Sequence, residues 1–205
     1  MSEKTVNIIL DILIIICAEF AVLISIIIIW LMSFYQRPSP TGRTTHLLCI
    51  NMYMSIGIGC ALMLDIYCYT FYGHIHSNIS FENDWCYIKS YLFYVSDCSF
   101  FYSYLLQAIY RLCRIVFHTK PFLQSYHLYI GGIILQWIFS FVQVIPVYSF
   151  GLFEYLKNDY HCQIALNNIR GLFIGLSLVH LIPISLTTIC YIYTVVYIRR
   201  RRNSI

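Results

Sequence analysis

Six residues of one apolar stretch are spaced for chemistry. Phe93, Asp97, Phe100, Tyr104, Gln107 and Arg111 follow one another in alternating steps of four and three. A helix would set them on one stripe. The stripe opens with an acid between two aromatic rings and ends on a guanidinium. Phe93, Asp97 and Phe100 are therefore candidates for a ligand pocket. An ionisable group inside a bilayer is costly and normally turns to the bundle interior, so the stripe is expected to be the inward face. Arg111 has a plainer reading as a side chain snorkelling to headgroups. Three further acids, Asp11, Glu19 and Asp65, fall in apolar stretches. Glu19 and Asp65 are expected near the outer surface. Acids converging on an outer cavity would suit a ligand with a positive group. Pro183 has no N–H and deprives the Val179 carbonyl of its helical partner, which predicts a bend or bulge. Tyr191 follows about 12 Å farther along; it could also be an interfacial anchor.

The elements that must position these residues are membrane helices. The chain has 205 residues, 60% hydrophobic and only 11% charged, against roughly 25% charged in a soluble domain. That balance excludes a soluble globule and a disordered chain, and a net charge of +4 does not suggest a nucleic-acid binder. Five apolar stretches, at about 8–35, 47–72, 85–117, 128–150 and 171–198, reach the ~20 residues a spanning helix needs and exceed a barrel strand. The reading is an all-α, polytopic membrane bundle forming one domain over 1–205, without linkers or repeats. Residues 37–46, RPSPTGRTTH, carry turn chemistry. The first span is too long for a cleaved signal core and reads as a retained anchor.

Charge sets the direction. With the N-terminus outside, Arg37, Arg43, Arg111, Arg114, Lys120 and Arg199 to Arg202 are cytoplasmic, nine of the 13 Lys and Arg. The basic excess favours this orientation. Asn78-Ile79-Ser80 is then an outer-loop glycosylation acceptor. Of nine cysteines, only Cys86 and Cys162 sit at outer positions, where an oxidising compartment would let them pair. Gly171 and Gly175 have a small-xxx-small spacing that allows close packing. His74 and His76 are too few for a metal site, and no metal or cofactor is expected. Phosphate loops, Gly-x-Ser-x-Gly elbows and His-Glu-x-x-His motifs are absent, so an enzyme is not expected.

Between about residues 47 and 198 the chain resembles the rhodopsin-like family of G-protein-coupled receptors, in particular its divergent invertebrate orphan members. In that family a cysteine opens the third helix and an arginine ends it twenty-five residues later, as Cys86 and Arg111 do. Trp137 and Pro146 match the fourth helix, Cys162 the loop cysteine that pairs with the third helix, and Pro183 with Tyr191 the fifth. The resemblance implies a seven-helix receptor fold of which this chain supplies five helices. It also implies a coupling switch at Arg111, Pro183 and Tyr191, with the Tyr191 hydroxyl meeting Arg111 through water in an active state. The departures are informative. Tyr110-Arg111-Leu112 lacks the family's acid before the arginine, Ile56 stands where a sodium-binding aspartate is expected, and Phe93 replaces the aspartate of amine receptors.

The expectation is a plasma-membrane receptor, incomplete at helices six and seven, with lipid, an unknown extracellular ligand and, at full length, a heterotrimeric G protein as partners. The alternatives are a non-signalling multi-pass protein such as a transporter fragment, or a truncated receptor that associates with intact ones.

Overall fold

A computed structural model describes residues 3–35, 42–76 and 79–203. Asn78 and Arg37 lie outside the described residues. Long apolar runs give helices α1 (Glu3–Phe34), α2 (Arg43–Ile75), α3 (Asp84–Ile115) and α4 (Tyr126–Ser149). The fifth stretch divides into α5 (Ile169–Leu176) and α6 (Ile182–Asn203), joined by one π-helical turn, Ser177–Leu181. Local capping fixes two starts. The Asn83 side chain accepts from the Cys86 N–H at 2.8 Å where α3 begins, and Asn168 accepts from the Gly171 N–H at 3.1 Å at α5.

Four helical stretches are long and apolar enough to cross a membrane: Thr5–Phe34, Arg43–Ile75, Tyr126–Ser149 and Ile169–Arg202. α3 falls short on composition, yet its 32 residues extend about 48 Å. It packs against α2, α4, α6 and the loop hairpin. A helix shielded by its neighbours need not be apolar all round. The molecule is a helical membrane bundle with α3 at its centre.

The face that α3 buries differs from the expected one. Ser96, Ser99 and Ser103 are buried, whereas Phe93, Asp97, Phe100 and Gln107 are half-buried and Tyr104 and Arg111 exposed. At 100° per residue the two stripes lie roughly a quarter turn apart. Small residues allow close helix approach, and their hydroxyls bond neighbouring carbonyls, so serines win the interior over bulkier rings.

Those serines join a polar network linking three helices. Asn51 Nδ2 donates to Ser103 Oγ and to Gln136 Oε1, each at 3.0 Å. Gln136 Nε2 donates to the Ser99 carbonyl at 2.8 Å and to Ser103 Oγ at 2.8 Å. Trp137 Nε1 donates to Asn51 Oδ1 at 3.0 Å. With no water in hydrocarbon to replace them, such bonds hold α2, α3 and α4 in register.

One end of the bundle carries an antiparallel hairpin, β1 (Phe153–Leu156) with β2 (His161–Ile164), in which Phe153 pairs with Ile164 and Leu156 with His161. It is a short addition to the helical architecture. Cys162 of β2 is disulfide-bonded to Cys86 at the start of α3, and Ser90 Oγ donates to the Cys162 carbonyl. Gly171 and Gly175 take Ile164 against α5: a Cβ on either would lie 3.1 or 2.8 Å from its side chain. Their close spacing thus serves contact with the hairpin.

At the hairpin tip, Tyr160 has a positive φ of 55° and lays its ring on Gly73. A Cβ at Gly73 would stand 2.3 Å from that ring. Gly73→Ala should therefore overpack the contact and cost about 1–3 kcal/mol. Thermal unfolding in detergent micelles measures this, and an unchanged midpoint would show that the ring is free to move aside.

Candidate functional site

α3 links two separate cavities. About midway along α2 and α3, between the hairpin and the opposite end, Phe93, Asp97 and Phe100 line a space of about 240 Å³ with Ser55, Ile56, Gly59, Cys60, Met63 and Ser96. Its walls are mainly apolar, with one carboxylate. Asp97 Oδ2 lies 3.5 Å from His180 Nε2, and the His180 ring meets Phe101 edge-on at 4.7 Å.

His180 belongs to the π-helical turn, which Pro183 explains with one revision. The Ile182 N–H bonds the Ser177 carbonyl five residues back. In that register Pro183 stands opposite Leu178, not Val179. The Leu178 carbonyl accepts instead from Gln143 Nε2 of α4 at 2.8 Å. Gln143→Leu should leave that carbonyl unpartnered and cost about 1–3 kcal/mol. Local hydrogen exchange across residues 177–183 should rise with it, while unaltered protection would argue against this pairing.

The acids do not converge. Asp11 is buried and bonds His74 Nδ1 at 2.5 Å, while His74 Nε2 reaches the Asn158 carbonyl at 3.0 Å. That chain of contacts fastens α1 and α2 to the hairpin. Asp65 pairs with the buried Lys89 at 2.8 Å, and Lys89 also sits 3.8 Å above the Tyr69 ring. Glu19 stands midway along α1 on an exposed face, not near an end. Each neutralising partner is remote in sequence, so Asp97 is the acid left on the cavity wall. No metal-holding cluster of His, Cys, Asp and Glu occurs among the described residues.

At the opposite end, marked by Arg199 to Arg202, Arg111 donates from a terminal guanidinium nitrogen to the Tyr191 hydroxyl at 3.2 Å. The contact is direct and needs no bridging water. A second cavity of about 450 Å³ opens beside it between α2 and α3.

No family model and no curated protein matches the chain. Among solved structures it matches the crystal structure of squid rhodopsin with a TM-score of 0.75 at 16% identity, over 100% of this chain and 56% of the other. The fold is that of rhodopsin. The chain thus spans a little over half the length of the rhodopsin it matches. Within this rhodopsin-like fold, Cys86–Cys162 ties the hairpin to the central helix, and Arg111 and Tyr191 meet across α3 and α6. Sequence reasoning missed His180, Gln143 and the Asp11–His74 pair. Two signals were available: a lone histidine three residues before Pro183, and glutamines at 136 and 143, seven residues apart on one helical face.

Proposed function

We propose that the chain is the five-helix portion of a rhodopsin-like receptor, which binds an extracellular ligand in the Phe93–Asp97–Phe100 cavity and engages a heterotrimeric G protein at the arginine end. The observation that carries this reading is that α3 carries both the Phe93–Asp97–Phe100 wall and, fourteen residues beyond Asp97, the Arg111 that meets Tyr191 of α6. A ligand that prefers one arrangement of α3 against α6 would shift the other end by no more than its differential affinity. The π turn before Pro183 gives α6 a place to change register. A transporter would call for acids acting together across several helices, whereas here Asp11 and Asp65 are paired separately, with His74 and Lys89.

The orientation belongs to the same proposal. A disulfide at the hairpin end suits an oxidising exterior, and the basic excess at the other end suits the cytoplasm. Asn78 would then be a glycosylation site of the plasma-membrane protein, and two further spans, with Trp-x-Pro and Asn-Pro-x-x-Tyr patterns, would follow Ile205 in the transcript.

Guanine-nucleotide exchange in membranes expressing the complete transcript tests the coupling role. Arg111→Leu should reduce exchange by about tenfold with surface expression retained, and residues 1–205 alone should give none. Undiminished exchange with the Arg111 variant, or robust exchange from residues 1–205, would reject the proposal.

A further inference from the structure

The cavity at the arginine end holds charge that nothing in the described structure balances. Arg111 and Arg114, one turn apart on α3, line it with Gln107, Tyr110 and, across on α2, Thr45 and Cys49. Arg111 has one donor engaged, at the Tyr191 hydroxyl. The Arg114 side chain makes no hydrogen bond or ion pair with a described residue. A guanidinium has five donors, so most of this donor capacity faces the cavity. Asp and Glu side chains are far along the chain: the sequence has none between Asp97 and Glu154, nor between Glu19 and Asp65. Along α3, Asp97 is about 21 Å from Arg111.

The geometry points to a binding site for a phosphate monoester, a dianion whose oxygens the Arg111 and Arg114 forks can share. Guanidinium forks match phosphate oxygens two at a time, and a space of about 450 Å³ accommodates a substituted headgroup. Position favours a lipid source. Thr45 lies in the first turns of α2, where its apolar run begins, and the basic run Arg199 to Arg202 ends α6 at the same end of the bundle. This is the level of lipid headgroups, which arrive by lateral diffusion. A soluble phosphorylated molecule offers the same chemistry from the aqueous side. The site shares Arg111 with the proposed coupling end, but phosphate binding there requires neither an outer ligand nor a G protein.

The test uses the 205-residue chain in phosphatidylcholine nanodiscs. One arm contains phosphatidylinositol bisphosphate, a second phosphatidylserine at equal total charge, and a third adds soluble inositol trisphosphate as a competitor. Retained lipid is read by native mass spectrometry. The bisphosphate lipid should be preferred over phosphatidylserine. Each of Arg111→Gln and Arg114→Gln should weaken its binding about fivefold, and the pair roughly 25-fold. Arg111→Lys with Arg114→Lys keeps the charge and should bind at an intermediate level, which separates lost recognition from lost folding. Replacing Arg199 to Arg202 with Gln should weaken both anionic lipids alike and leave the preference intact. Competition by the soluble headgroup would assign the site to phosphate from either source, and its failure would assign it to lipid. An unchanged preference in the double Gln variant, or its disappearance in the tail variant, would overturn the inference.

Discussion

Replacing Asn51 with leucine should destabilise the protein by about 3 kcal/mol, more than any single change on its lipid-facing surfaces. Asn51 is the junction of α2, α3 and α4. Its oxygen accepts from the Trp137 indole, and its nitrogen donates to both Ser103 and Gln136. Leucine has similar bulk but leaves the indole N–H and the Gln136 oxygen unmatched where hydrocarbon offers no substitute. Interhelical hydrogen bonds in membranes average about 0.6 kcal/mol when the remaining groups find new partners. Here Gln136 and the serines are buried and already committed, so relief is limited. Adding Gln136→Leu should cost less than the two single changes summed, because the second removes a group already left unmatched. Unfolding in mixed micelles measures both. A loss below about 1 kcal/mol for Asn51→Leu would mean the network contributes little to holding the helices.

Removing the disulfide with Cys86→Ser should cost about 4 kcal/mol, the chain-entropy value for a loop of this length; the two cysteines are 76 residues apart. The loss has a local signature. β2 is held to α3 by this bond and by the Ser90 contact with the Cys162 carbonyl, and strands of four residues are not stable alone. Hydrogen exchange over 153–164 should therefore rise before the helices respond. The Asp11–His74–Asn158 contacts should keep the hairpin tip partly docked, and adding Asp11→Asn should release it. Equal exchange with and without the disulfide would show that the hairpin is fastened by other means.

Much of this architecture is legible in the chain. Hydrophobic length locates four spanning stretches, because a bilayer imposes a minimum run, and α3 is a long helix although it falls short on composition; the notch before Pro183 follows from a missing N–H. Periodicity also set Phe93, Asp97 and Phe100 on one face, and they share a cavity wall. Periodicity could not tell which neighbouring stripe turns inward. The cost of an ionisable group in the bilayer pointed to the Phe93–Arg111 stripe, whereas close helix contact selected Ser96, Ser99 and Ser103. The partners of the acids were hidden for a different reason. His74 is 63 residues from Asp11, and no local pattern specifies a pairing over that distance. The π register shifted the carbonyl left unpartnered by Pro183 by one residue, from Val179 to Leu178, because its i→i+5 bond is invisible in a helical count.

The central claim is that α3 crosses the membrane although, unlike the four other long helical stretches, it falls short of a spanning helix's apolar composition. Side-specific access in sealed vesicles tests this directly, with short epitopes placed before Met1 and after Ile205. Five crossings put the two epitopes on opposite faces, the first on the same face as Asn158 at the hairpin tip. Both epitopes on one face would mean an even number of crossings, leave α3 outside the bilayer, and contradict the account.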